Sequence, residues 1–304
     1  MFAWLLCLIL VSEAWPVKCQ YQQQQLIILA GQSNMAGRGG VTNDTRTNKL
    51  TWDGIVPPQC QPNPSILRLT AKLKWVLAHE PLHADIDVNK TNGVGPGLPF
   101  ANAVLTKVPN FGVIGLVPCA IGGTNISQWR KGSSLYEQMI QRAQVALRGG
   151  GTIRAVLWYQ GESDTVNLED AKLYKERSDM FFTDLRSDLQ SPVLPIIRVA
   201  LASGEGPFIE IVRKAQLSSD LPNVRCVDAM GLPLEPDGLH LTTPAQVRLG
   251  EMMADAFLQS IPSSIKTTSH SHSHSPPKFP HFISYFLILP LLTHLFWMIL
   301  TFRY

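Results

Sequence analysis

Several features common in binding and redox proteins are missing from this 304-residue chain. No pair of cysteines stands at a Cys-x-x-Cys spacing, so there is no sequence signal for a structural zinc site or a dithiol redox centre. The net charge is only +3 and no block of lysines and arginines occurs, which leaves no electrostatic footprint for nucleic acid. No internal repeat is evident, so solenoid and propeller architectures are not indicated. Lysine and arginine are also absent ahead of the first apolar run, Phe2 to Val11.

That apolar run is nevertheless of signal-peptide length. Small residues follow at Ser12 and Ala14, so residues 1–14 are expected to be a secretory signal cleaved after Ala14. At the other end, residues 261–281 are rich in Ser, His and Pro and read as a polar linker. Residues 282–302 are nearly uncharged and long enough to cross a bilayer core. Small residues, spacer and apolar tail form the pattern of a glycolipid-anchor signal, with Ser271 or Ser273 as attachment candidates; Arg303 favours a retained transmembrane helix instead. Either way the expected location is the cell surface, with the membrane as a partner. Cys7 falls in the expected signal. Cys19, Cys60, Cys119 and Cys226 would remain, and in an oxidising compartment they allow three pairings. Sequons stand at Asn43, Asn89 and Asn125.

Residues 20–260 are left as one domain. Short runs rich in Ile, Val and Leu recur at Leu26 to Ala30, Gly112 to Val117, Ala155 to Tyr159, Leu194 to Leu201 and Val224 to Val227. Strands apolar on both faces imply a parallel sheet covered on both sides. Between them lie helical patterns at Phe100 to Thr106, Leu135 to Leu147, Leu168 to Asp188 and Phe208 to Ser219. A last helix is expected with Thr243 as its N-cap and Pro244 in its first turn, ending near Gln259. The expectation is an α/β fold, a three-layer α/β/α sandwich on a five-stranded parallel sheet. Residues 41–98, with Pro57, Pro58, Pro62 and Pro64, read as a long surface excursion of the kind that walls a substrate cleft.

In open parallel sheets, ligands bind at the carboxyl ends of strands. Four polar blocks fall there: Gly31-Gln32-Ser33-Asn34-Met35-Ala36-Gly37, Ile121-Gly122-Gly123-Thr124-Asn125, Gln160-Gly161-Glu162-Ser163-Asp164 and Asp237-Gly238-Leu239-His240. A serine hydroxyl needs a base, the base needs an orienting carboxylate, and the developing oxyanion needs donors. Ser33, His240 and Asp237 can fill the first three roles. Gly122 and Gly123 can present backbone N–H groups, and Gln160 offers a side-chain amide. Met35 stands two residues past Ser33, where the α/β-hydrolase elbow Gly-x-Ser-x-Gly needs glycine, so that elbow is absent. Glu162 and Asp164 share one loop, which suits bracing hydrogen bonds better than a facing acid/base pair. Trp129 and Arg130 are candidates for a sugar site, with the core as the alternative for Trp129.

Together the four blocks, including Trp158-Tyr159 ahead of the third, resemble the SGNH hydrolase superfamily over about residues 25–259, and more narrowly the plant carbohydrate esterases related to sialate O-acetylesterases. The resemblance implies a flavodoxin-like fold and hydrolysis of acetyl esters on sugars without metal or cofactor. It implies Ser33 as nucleophile, His240 as base and Asp237 as its orienter. The N–H groups of Ser33 and Gly123 are then the implied oxyanion donors, Gly122 being the less favoured alternative. Many superfamily members carry Asn as the side-chain donor of the third block, and Gln160 stands in its place here. Two other readings stay open: a lipid or small-ester hydrolase on the same fold, and a non-catalytic carbohydrate-binding protein. The sequence leaves the particular sugar and the oligomeric state undetermined.

Overall fold

The computed structural model describes residues 23–44, 46–47 and 49–261, all within one compact unit. The expected signal, linker and C-terminal apolar segment lie outside the described residues. Among the described residues, no helix is long and apolar enough to cross a membrane.

Nine strands and six α-helices are described. The strands are β1 (Gln25–Gly31), β2 (Val41–Asp44), β3 (Lys49–Trp52), β4 (Ile66–Leu69), β5 (Trp75–Leu77), β6 (Ile114–Pro118), β7 (Thr152–Tyr159), β8 (Ile196–Ala200) and β9 (Val224–Asp228). The helices are α1 (Ser33–Ala36), α2 (Gly97–Lys107), α3 (Ser134–Arg148), α4 (Leu168–Asp188), α5 (Ile209–Leu217) and α6 (Thr243–Ser260).

The main sheet has seven strands in the order β5-β4-β6-β1-β7-β8-β9. All neighbours pair parallel except β4 with β5. The five expected strands are β6-β1-β7-β8-β9, the flavodoxin-like order, and the five-strand expectation is corrected by two additions at one edge. Both come from the 41–98 excursion, which also holds the separate β2–β3 hairpin. Ile66-Leu67-Arg68-Leu69 carries no clear strand signal in the sequence because Arg68 interrupts its apolar run. Arg68 is buried and donates to Leu82 O at 2.8 Å and Asp85 Oδ1 at 2.6 Å, which satisfies the charge inside the fold.

Leu26 to Ala30 of β1 are fully buried, as a central strand covered on both faces requires. Burial of each large aliphatic side chain of this kind is worth about 1.5–3 kcal/mol. One covering layer joins α2 to α6, where Phe100 meets Phe257 at 5.6 Å between ring centroids. Another contains Trp158 of β7 against Phe181 and Phe182 of α4, at 4.6 and 5.8 Å. Trp129 completes that cluster edge-on to Trp158 at 5.2 Å and is fully buried, so of its two readings the core one applies.

Helix α4 starts where Asn167 Oδ1 accepts from Glu169 N and Asp170 N, with both acids favourably placed at the positive end of the helix dipole. The cap of α6 is Thr242 rather than Thr243: the Thr242 hydroxyl accepts from Ala245 N at 3.4 Å. Pro244 still sits in the first turn, where it withdraws no helical donor. Cys60, Cys119 and Cys226 are free thiols, so none of the three expected pairings has its bridge among the described cysteines.

Candidate active site

The centre of the site is the turn from β1 into α1. Strand β1 has β6 on one side and β7 on the other, so its carboxyl end is the switch point of the sheet. Gly31 closes the strand with φ +132°, and a Cβ there would stand 2.1 Å from Tyr159 O. Only glycine fits so close to the neighbouring strand. Gln32 is fully buried and fastens the turn to the third block: its Oε1 accepts from Gly161 N at 3.1 Å and Gln160 Nε2 at 3.2 Å. Ser33 then begins the one-turn helix, and Gly37 N closes that turn on Ser33 O at 2.9 Å.

His240 arrives from the opposite end of the chain. Asp237-Gly238-Leu239-His240 forms a tight turn in which Gly238 takes φ +67° and its N–H donates to Glu235 O. Asp237 Oδ1 accepts from Leu239 N and His240 N, both at 2.9 Å. Its other oxygen, Oδ2, lies 2.6 Å from His240 Nδ1. His240 Nε2 lies 2.9 Å from Ser33 Oγ. Burial alone would raise the Asp237 carboxyl, but the backbone donors and the imidazole outweigh it and hold the group below its ordinary value. A carboxylate that stays ionised fixes the imidazole with Nδ1 protonated and Nε2 free to accept from the serine.

These residues line a cavity of about 300 Å³ together with Arg38, Gly122, Gly123, Leu239 and Glu205. Its far wall is Val41, Leu50, Lys90 and Thr91, so the 41–98 segment walls the cleft as its composition suggested. Lys90 and Thr91 belong to the Asn89 sequon, which places that triplet, exposed at Asn89 and Lys90 and half-buried at Thr91, at the cleft rim.

The two glycines of the second block differ. Gly122 packs inward, where a Cβ would come within 2.6 Å of Arg38 Nη2 and 3.4 Å of Ser33 Cβ. Gly123 has φ +74° and open space where a Cβ would point. Arg38 is buried beneath them, paired with Asp87 Oδ2 at 2.5 Å and donating to Asn92 Oδ1 at 2.8 Å. It stands one residue past the first block and carries no sequence signal of its own.

Gln160 departs from its expected place. The residue is fully buried and is not among the cavity's lining. Its Nε2 faces inward acceptors: Asp164 Oδ2 at 2.6 Å, Thr124 O at 2.9 Å and Gln32 Oε1 at 3.2 Å. An amide has two N–H bonds, and here three protein acceptors already surround them. The structure therefore groups Ser33, His240, Asp237 and Gly123, and leaves Gln160 behind them as a tie between blocks. The expected role of Gln160 as an oxyanion donor is thus corrected: Thr124 O and Asp164 Oδ2, brought over it only by the fold, take its amide hydrogens.

The third block carries two unusual carboxyls. Burial raises Glu162 to about 8 and Asp164 to about 7, so a proton is retained on Glu162 at neutral pH. Glu162 Oε1 accepts from Asn34 Nδ2 at 2.8 Å. Asp164 accepts from Ile126 N with both oxygens at 3.1 Å, which ties the third block to the second. These bonds brace loops, as the shared-loop spacing suggested.

Residues 23–259 match the family model described as carbohydrate esterase, sialic acid-specific acetylesterase. The chain belongs to this carbohydrate esterase family. It is accordingly a carboxylic ester hydrolase of the carbohydrate acetylesterase kind. A curated relative in Arabidopsis thaliana, the probable carbohydrate esterase At4g34215, is 57% identical over 235 residues, covering 77% of this chain and 90% of the relative. The crystal structure of that Arabidopsis protein superposes with a TM-score of 0.76 at 56% identity, over 78% of this chain and 98% of that one. NanS shares the fold at 17% identity and a TM-score of 0.63, over 78% of this chain and 97% of its own.

Proposed function

We propose that this esterase removes O-acetyl groups from sugars or polysaccharides through a Ser33–His240–Asp237 triad and an acetyl-enzyme. The observation that carries the reading is the unbroken hydrogen-bond chain from Asp237 Oδ2 through both imidazole nitrogens to Ser33 Oγ. Ser33 Oγ attacks the acetyl carbonyl carbon while His240 Nε2 takes its proton. The C–O bond to the sugar then breaks, and His240 returns the proton to the leaving sugar oxygen. Water then attacks the acetyl carbon as the same nitrogen takes its proton; the acetyl–Oγ bond breaks, the proton passes from Nε2 to Ser33 Oγ, and acetate leaves.

The backbone N–H groups of Ser33 and Gly123 serve the oxyanion. Neither finds an acceptor among the described residues, and both residues line the cleft. The cleft's small volume and its polar rim of Lys90, Thr91 and Glu205 favour a short acyl group on a hydroxyl-rich carrier over a long lipid chain. A cell-surface location is part of the same proposal, supported by the signal-like run Phe2 to Val11 and the apolar run of residues 282–302.

The test is acetate release across a panel of acetylated polysaccharides, with long-chain p-nitrophenyl esters and the Ser33→Ala protein as controls. Acetate release by the wild type alone, with little long-chain turnover, is the expected result. Preference for long chains would overturn the carbohydrate assignment, and binding without acetate release would make the protein a lectin-like binder.

A further inference from the structure

Nothing in the triad explains why a carboxyl should be fully buried behind it without a cation. Glu162 is such a group: it is fully buried, and its Oε2 has no hydrogen-bond partner among the described residues. Such burial is costly unless the group does something in place. It cannot touch a substrate, because no part of it reaches solvent.

What it does touch is the side chain of Asn34, the residue after the nucleophile, at 2.8 Å. The rest of the Asn34 amide meets the two residues that flank His240 and, at 3.4 Å from Oδ1, Gln246 Nε2. Asn34 Oδ1 accepts from Leu241 N at 2.9 Å, and Nδ2 also faces Leu239 O at 3.4 Å. Leu239 O is held a second time by Ser203 Oγ at 2.5 Å, and Gln246 Nε2 donates to Asn34 O at 3.2 Å. One buried amide thus spans from the nucleophile's own turn to the backbone on either side of the base, 207 residues later in the chain. A flipped amide would set Nδ2 against the Leu241 N–H and Gln246 Nε2, donor against donor, so those groups fix its orientation. Glu162 Oε1 then takes the N–H that this orientation turns inward and pins the amide in its place between the turn and the base.

We propose that Glu162 is a positioning residue for the hydrolysis: acting through Asn34, it fixes the approach of His240 Nε2 to Ser33 Oγ. This rests on the assignment of Ser33 and His240 to the reaction. Its surroundings fit a neutral acceptor. Asp164 on its own loop and Glu205 on the loop after β8 both act on it as like charges, and burial pushes it up to about 8. Tyr159 of β7 is a further acidic neighbour. A neutral carboxyl offers one oxygen to Asn34, as an uncharged amide oxygen also can.

The test uses Glu162→Gln, Glu162→Leu, Asn34→Ala and the Glu162→Leu/Asn34→Ala double variant, assayed with p-nitrophenyl acetate. Glu162→Gln keeps an acceptor and is expected to hold kcat within about threefold. Glu162→Leu leaves a buried Asn34 N–H unpaired, and the amide leaves its site to find a partner. A displacement of about 1 Å in a reacting geometry costs on the order of 100-fold, so kcat should fall by roughly 10- to 100-fold. KM should stay within about twofold, and melting should remain cooperative. The double variant should lose no more than Asn34→Ala alone, because the effect passes through Asn34. Additive losses, a KM effect in place of a kcat effect, or full activity in Glu162→Leu would each overturn the proposal. The Ser33→Ala protein separates the two failures: if it turns over unimpaired the triad assignment falls, whereas an inactive Ser33→Ala protein beside a fully active Glu162→Leu protein overturns this proposal alone.

Discussion

Replacing Asp237 by Asn separates orientation from charge at the base. The substitution keeps an oxygen where Oδ1 accepts from Leu239 N and His240 N at 2.9 Å, so the turn survives. It places an NH2 group opposite His240 Nδ1, where the carboxylate oxygen now lies at 2.6 Å. Nδ1 must then accept, and the ring proton moves to Nε2, which faces Ser33 Oγ at 2.9 Å and no longer offers a lone pair. The Asp237 side chain is 48% exposed, so water screens its charge and the tautomer accounts for most of the effect. A wrong tautomer in a Ser-His-Asp triad costs roughly 10³ to 10⁴ in kcat, or about 4–5.5 kcal/mol of barrier. Initial rates with p-nitrophenyl acetate, with circular dichroism and melting as fold controls, measure this. A folded Asp237→Asn protein within tenfold of the wild-type kcat would refute the reasoning.

Three other outcomes follow from the same geometry. Gly31→Ala drives a Cβ to 2.1 Å from Tyr159 O at φ +132°, and should cost about 3 kcal/mol or more, lowering Tm by roughly 6–12 °C in a thermal melt. Gly122→Ala places a methyl 2.6 Å from Arg38 Nη2 and 3.4 Å from Ser33 Cβ, so kcat should drop at least tenfold with little change in cooperative melting. Burial raises Glu80 and Glu162 to about 8 and Asp164 to about 7, whereas the unfolded chain loses these protons near 4. The folded state therefore holds more protons between those values, and stability falls as pH rises through that window, by at most about 1.4 kcal/mol per pH unit for each group. Denaturant unfolding at pH 5.5 and 7.5 should show the decline, and Glu162→Gln should flatten it; an identical slope in that variant would contradict the assignment.

How much of this was legible beforehand depended on whether the signal was local. Strands β1, β6, β7, β8 and β9 announce themselves because each is a run of apolar residues between breakers. The Asp237-to-His240 turn is legible for the same reason: its hydrogen bonds close within four residues. Strand β4 hid behind Arg68, whose charge is matched only by Asp85 after the chain folds back. Strand β5, three residues long and partly exposed, carries too short a pattern to read. Cleft chemistry followed the same division. Ser33, His240 and Gly123 could be placed on one rim from strand ends alone. The inward turn of Gln160 and the span made by Asn34 depend on partners more than 30 and more than 200 residues away, respectively, and no periodicity encodes them.

Mass spectrometry of the enzyme quenched during turnover of p-nitrophenyl acetate shows whether Ser33 carries the acetyl group. The expected species is heavier by one acetyl group, mapped to the peptide containing Ser33, and absent from the Ser33→Ala protein, which should release no acetate above background. Acetate release at the wild-type rate by Ser33→Ala, or an acetyl group trapped on another residue of the cleft, would contradict it.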